Sequence, residues 1–143
     1  MENFYFGTAG VMSKRETLEI RSSSDIVQVR QQVRTWAVAM GFGLLDQTKI
    51  VTAASELARN TVDYGKGGTV TLETIQSGKR QGLRLIFEDN GPGIPDIELA
   101  MTDGYTSDRG LGLGLGGSKR LMHEFEIASK VGKGTKIAIV RWR

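Results

Sequence analysis

Two rhythms of hydrophobic and polar positions alternate along the chain, and the changes between them mark its elements. Residues 17–21 run polar-apolar-polar-apolar-polar, the period of a half-buried strand. Ser22, Ser23, Ser24 and Asp25 then offer side-chain oxygens that can cap a helix. In that helix Ile26, Val29, Val33, Trp36, Ala37 and Met40 share one face, and Gly41 and Gly43 supply its stop. Asp46 is placed to cap a second helix with an inward stripe of Ile50, Ala53, Ala54, Leu57, Ala58 and Thr61, which Tyr64 and Gly65 break.

Beyond it the rhythm returns to strands. Residues 69–75 and 83–89 are rich in β-branched and aliphatic side chains and are expected to form a hairpin across residues 76–82. Residues 90–93 make a turn, a short helical piece is expected after Pro95, and residues 102–109 form a polar loop with a glycine. Leu121, Met122 and Phe125 lie at helical spacing within 117–125, and strands at 126–131 and 135–141 flank Gly132, Lys133 and Gly134. The order β-α-α-β-β-loop-α-β-β predicts an α+β fold, a two-layer sandwich with helices on one face of a mixed, mainly antiparallel sheet.

Composition narrows the chemistry. At 143 residues and 39% hydrophobic content, one domain with a real core is expected. No apolar run approaches the roughly 18–20 residues that span a bilayer, and the N-terminus lacks the order of a secretory signal, so a cytoplasmic protein with no membrane partner is expected. Without cysteine, and with His123 as the sole histidine, thiolate and histidine-rich metal sites are excluded, leaving oxygen ligands for any metal. The net charge is +3, but Lys and Arg are scattered among acids, and no nucleic-acid partner is expected. Residues 1–12 lack periodicity and resemble the remnant of an engineered protease site, with Met12 near the natural start; the domain is placed at 13–143.

Three clusters can carry chemistry. Glu56 and Asn60, four apart, project from one face of the second helix and can converge on one ligand. A carboxamide oxygen there suits Mg²⁺, which takes a few protein oxygens beside water and phosphate. Asp89 ends a buried-type strand, where a carboxylate needs a partner such as an exocyclic amine, and Gly91 and Gly93 let backbone approach a flat ring. The glycine ladder at 110–117 frees successive N–H groups to face an anion just before a helix. Separately, these features also fit a solvated helix edge, an ordinary turn and a flexible loop. The ladder fails the Walker pattern because Ser118 precedes Lys119. Gly112, Gly114 and Gly117 do satisfy the dinucleotide pattern, yet they follow a polar loop rather than a strand.

In this order, Glu56 with Asn60, Asp89 with Gly91 and Gly93, Gly110 with Gly112 and Gly114, and Gly132 with Gly134 and Thr135 resemble the N, G1, G2 and terminal Gly-Thr boxes of the GHKL ATPase superfamily. The resemblance runs from about residue 17 to the C-terminus. Residues 55–60 and 110–126 make it similar in particular to the RsbT-type serine/threonine kinases of bacterial stress signalling. It implies the Bergerat, or histidine-kinase-like, ATPase fold with ATP and Mg²⁺ as cofactors. It further implies Asn60 on the metal, Glu56 as general base, Asp89 on the adenine amino group with Gly91 and Gly93 at the ring, and Thr135 in the adenine-side network. Gly110, Leu111, Gly112, Leu113, Gly114, Leu115 and Gly116 would wrap the phosphates, and residues 102–109 would begin an ATP lid. Arg59 and Lys119 are open between phosphate contact and surface charge. Two departures stand out: Gly117 where relatives often carry proline, and His123, taken as helix surface, where they are often acidic.

The function so implied is a protein kinase that phosphorylates Ser or Thr on STAS-domain antagonist or scaffold proteins of a stressosome-like complex and, on release, activates a PP2C-type phosphatase. The principal alternative is an anti-sigma factor that sequesters an RNA polymerase sigma subunit and uses kinase activity as a switch. A histidine-kinase catalytic fragment and a dinucleotide oxidoreductase are further alternatives.

Overall fold

The computed structural model describes residues 11–102 and 114–143. Five strands form one sheet in the order β1-β2-β3-β5-β4, in which every neighbouring pair is antiparallel. These are β1 (Val11–Ile20), β2 (Gly68–Ser77), β3 (Arg80–Asp89), β4 (Glu124–Lys130) and β5 (Gly134–Trp142). The helices are α1 (Ser23–Ala39), α2 (Leu44–Asp63), α3 (Ile97–Ala100) and α4 (Gly114–Leu121).

The expected period-2 pattern builds the inner face of the sheet. Val70 and Leu72 of β2, Leu83, Leu85 and Phe87 of β3, and Ile137 and Ile139 of β5 are all buried. They belong to one apolar cluster with Val29, Val33 and Trp36 of α1 and Ile50, Ala54 and Leu57 of α2. Fully burying each such large side chain stabilises the fold by about 1.5–3 kcal/mol. The opposite face is not bare. Ile75, Val140 and Trp142 form a second small cluster there, and buried Glu73 accepts from Arg84 Nε at 2.7 Å and pairs with Arg15 at 3.3 Å.

Four local expectations change. Strand β1 begins at Val11, well before residue 17, because its ladder on β2 continues past a register shift between Met12 and Lys14. Gly43, not Asp46, is the N-cap of α2; Asp46 instead holds Arg141 Nη2 across the fold at 2.8 Å. The β2–β3 connection tightens to Gly78 and Lys79, since pairing continues to Ser77 and Arg80, with Gly78 at φ +62°. The last helix starts inside the glycine ladder and ends at Leu121, so Phe125 belongs to β4, opposite Ile139. Leu115, Gly116, Gly117 and Ser118 of this helix are buried.

Candidate nucleotide site

The second helix contributes one wall of a cleft of ≈ 430 Å³, within the usual range for small-molecule sites. Glu56, Arg59 and Asn60 line it from α2, Phe87 and Asp89 from β3, Thr135 and Ile137 from β5, and Gly114 and Leu115 from the start of α4. Gly93, Ile94 and Ala100 close the side between β3 and α3. Residues far apart in sequence thus meet at the C-terminal end of β3, where apolar lining residues are flanked by a few polar groups.

Glu56 is buried at 6% exposure, although a lone carboxylate is costly to desolvate. Its Oε1 accepts from Arg59 Nη1 at 3.3 Å, and Arg59 remains about half exposed at the cleft. Asn60 lies one turn further along the same face, so carboxylate and carboxamide face the cleft together. Lys119 is exposed in the last turn of α4 and does not line the cleft, the surface position left open above.

Asp89 sits where the last β2–β3 pair ends, opposite Gly68. Gly91 N–H donates to its Oδ1 at 2.9 Å, and Thr135 is its ladder partner on β5. Burial pushes its pKa above the usual 3.8, and the nearby backbone of Gly91 and Thr135 only partly offsets that. Glycine is required around it. Gly93 has φ +80°, and a Cβ there would strike the carbonyl oxygen of Lys130; Gly91 packs against Gly65, whose Cα would lie 2.8 Å from an added Cβ. The turn is further seated by Gly132 N–H, which donates to Pro92 O at 2.8 Å.

Gly114, Leu115 and Gly116 form the first turn of α4, with Gly114 and Leu115 on the cleft and Gly116 buried behind. Gly110, Leu111, Gly112 and Leu113, together with residues 103–109, lie outside the described residues. Four cleft features carried no motif in the sequence: the apolar slot of Leu57, Phe87 and Ile137, the turn residue Ile94, Tyr64 at the rim, and Ser129 behind Thr135. The slot residues were legible only as core, and Ser129 could have been found from the hairpin register that sets it opposite Thr135. His123 lies beyond the helix, where its exposed ring accepts Trp142 N–H on Nδ1 at 2.8 Å; its expected place on the helix surface is corrected by β5 reaching that far.

Residues 45–143 match the model of the histidine kinase-, DNA gyrase B- and HSP90-like ATPase family. Over 131 residues the chain is 45% identical to the serine/threonine-protein kinase RsbT of Bacillus subtilis, covering 92% of this chain and 98% of that one. The chain belongs to this ATPase family, among the RsbT-type serine/threonine protein kinases. Family members named anti-sigma F factor are also similar: that of Clostridium kluyveri is 36% identical over 96 residues, covering 63% of this chain and 66% of its own. The fold agrees with a solved Mycobacterium tuberculosis structure of RsbU and RsbW domains, at TM-score 0.61 and 23% identity over 90% of this chain. The chain spans 33% of that larger one.

The family's ATP use accounts for the cleft's combination of apolar lining, a buried carboxylate and a helix start. Among the described residues no three His, Cys, Asp or Glu side chains cluster to hold a metal, and no helix is long and apolar enough to cross a membrane. Asn60 beside Glu56 fits Mg²⁺ that arrives on phosphate oxygens and keeps much of its water.

Proposed function

We propose that the protein transfers the γ-phosphate of Mg-ATP to a serine or threonine of STAS-domain antagonist or scaffold proteins in a stressosome-like assembly. On release it would activate a PP2C-type phosphatase. The observation that carries this reading is the placement of Glu56 and Asn60 in the same cleft as Asp89 and Thr135, with the start of α4 opposite.

In this reading the adenine lies in the slot of Leu57, Phe87 and Ile137, with its amino group toward Asp89 and Gly93 beneath the ring. The peptide N–H groups opening α4 face the phosphates. Asn60 would hold Mg²⁺, which when bound would supply positive charge to the phosphate oxygens. Glu56 accepts the proton of the acceptor hydroxyl as its oxygen bonds to the γ-phosphorus, and the bond to the β-phosphate oxygen breaks to leave ADP. Arg59 keeps Glu56 oriented from the cleft side.

Incubation with labelled Mg-ATP and candidate STAS-domain proteins, followed by phosphosite mapping, tests the proposal. Label on a single Ser or Thr of a STAS protein is expected, and no transfer to any of them would refute it. Similarity to anti-sigma F factors supports a second reading, a switch that sequesters a sigma factor. A pull-down that recovers a sigma factor and no STAS protein would favour it.

A further inference from the structure

Ser129 of β4 belongs to none of the sequence boxes, yet its hydroxyl joins three segments of the cleft. The Ile94 N–H donates to Ser129 Oγ at 2.7 Å, Ser129 Oγ donates to Gly134 O at 3.1 Å, and Thr135 Oγ1 lies 2.7 Å away. A serine hydroxyl has one hydrogen and two lone pairs. When that hydrogen is on Gly134 O and one lone pair is taken by Ile94, the remaining bond has Thr135 as donor and Ser129 as acceptor. In that arrangement the Thr135 hydrogen points at Ser129, which leaves its lone pairs for a group in the cleft that Thr135 lines. Thr135 is also the ladder partner of Asp89 across β3 and β5, so the two acceptors are fixed relative to each other.

We propose that Ser129 is a specificity-determining residue. By orienting the Thr135 hydroxyl it makes Thr135 and Asp89 a pair of acceptors, which selects a purine with an amino group at position 6 over one with a carbonyl there. This rests on the cleft being a purine-nucleotide site. Ser129 acts through Thr135 and need not touch the base. Replacing it by alanine frees the Thr135 hydroxyl to rotate and donate, so a 6-carbonyl becomes acceptable.

The test is calorimetric titration of the full chain with Mg-ATP and Mg-ITP, which differ in the group at position 6 and the N1 hydrogen that the carbonyl form carries. The parent is expected to prefer ATP. In Ser129→Ala the preference should fall about fivefold, the worth of one neutral hydrogen bond. Thr135→Val should lower it similarly, the double variant should add nothing further, and Ser129→Thr, which keeps the hydroxyl, should restore it. An equal loss of affinity for both nucleotides in Ser129→Ala, or an unchanged preference, would overturn the inference and leave the purine reading intact. A parent that binds neither nucleotide would overturn the purine reading and this inference with it. Should Ser129→Ala fail to fold, Ser129→Cys, whose thiol is a weak hydrogen-bond partner, carries the same expectations.

Discussion

A Cβ added to Gly65 would stand 2.5 Å from Oδ2 of Asp89. The residue just beyond the C-cap of α2 and the carboxylate that ends β3 therefore lie against each other, and the wall carrying Glu56 and Asn60 is registered against the β3 end of the cleft. The side chain of Asp89 has little room to retreat, because Gly91 N–H already holds it and Thr135 of β5 stands beside it. Gly65→Ala should lower ATP affinity roughly tenfold to a hundredfold, the range for a lost hydrogen bond to a charged group. The same change in an Asp89→Ala background should have little further effect. Calorimetry on the four proteins checks this, and full additivity would mean that Gly65 acts elsewhere.

Asp89 carries an opposed pair of effects. Its folded pKa lies above 3.8, chiefly through burial, so the ionised form is disfavoured by folding. Stability from this group is present below the unfolded value and is lost as pH rises through the folded one. Asp89→Asn should thus melt higher than the parent at pH 7, with the difference shrinking toward pH 4, while discrimination between ATP and GTP weakens. Thermal melts across that range and competition binding measure the two effects separately.

Glu56 and Asn60 should separate chemistry from binding. Glu56→Gln is expected to keep ATP affinity and lose transfer by about 10²–10⁴-fold, the usual contribution of a general base. An unchanged transfer rate would remove Glu56 from that role. Asn60→Ala should instead weaken nucleotide binding in the presence of Mg²⁺ and change it little in EDTA, which titrations under both conditions will show.

His123 places a pH dependence on the far end of the sheet. Partial burial, then the charges of Arg141 and Arg80, hold its pKa below the ordinary 6.5, and its Nδ1 must be unprotonated to accept Trp142 N–H. Its contribution is fully present above about pH 6.5 and is lost as pH falls through the lower folded value. Urea midpoints between pH 7.5 and 5 should decline in the parent and decline less in His123→Ala. Equal slopes would assign the effect to other groups.

Local rules were enough for most of the elements. The stripe from Ile50 to Thr61 and the alternation of Val70 with Leu72, or Leu83 with Leu85, are periodicities of a single segment, and they made helices and strands legible without reference to the rest of the chain. The four-residue spacing of Glu56 and Asn60 likewise declared their shared face. Element ends were less legible, because pairing partners set them: β1 extends to Val11 along β2, and Phe125 leaves the helical pattern to meet Ile139.

The sequence by itself therefore determined which residue types could bind a nucleotide, and their order along the chain supported one family. Only the tertiary structure decided that Gly65 abuts Asp89, that Arg59 rests on Glu56, and that Ser129 stands behind Thr135. The physical reason is reach. Periodicity records which way a side chain leaves its own backbone, whereas a hydrogen bond between strands or a helix end pressed on a turn depends on ångström-scale register between segments, which packing of the whole core sets.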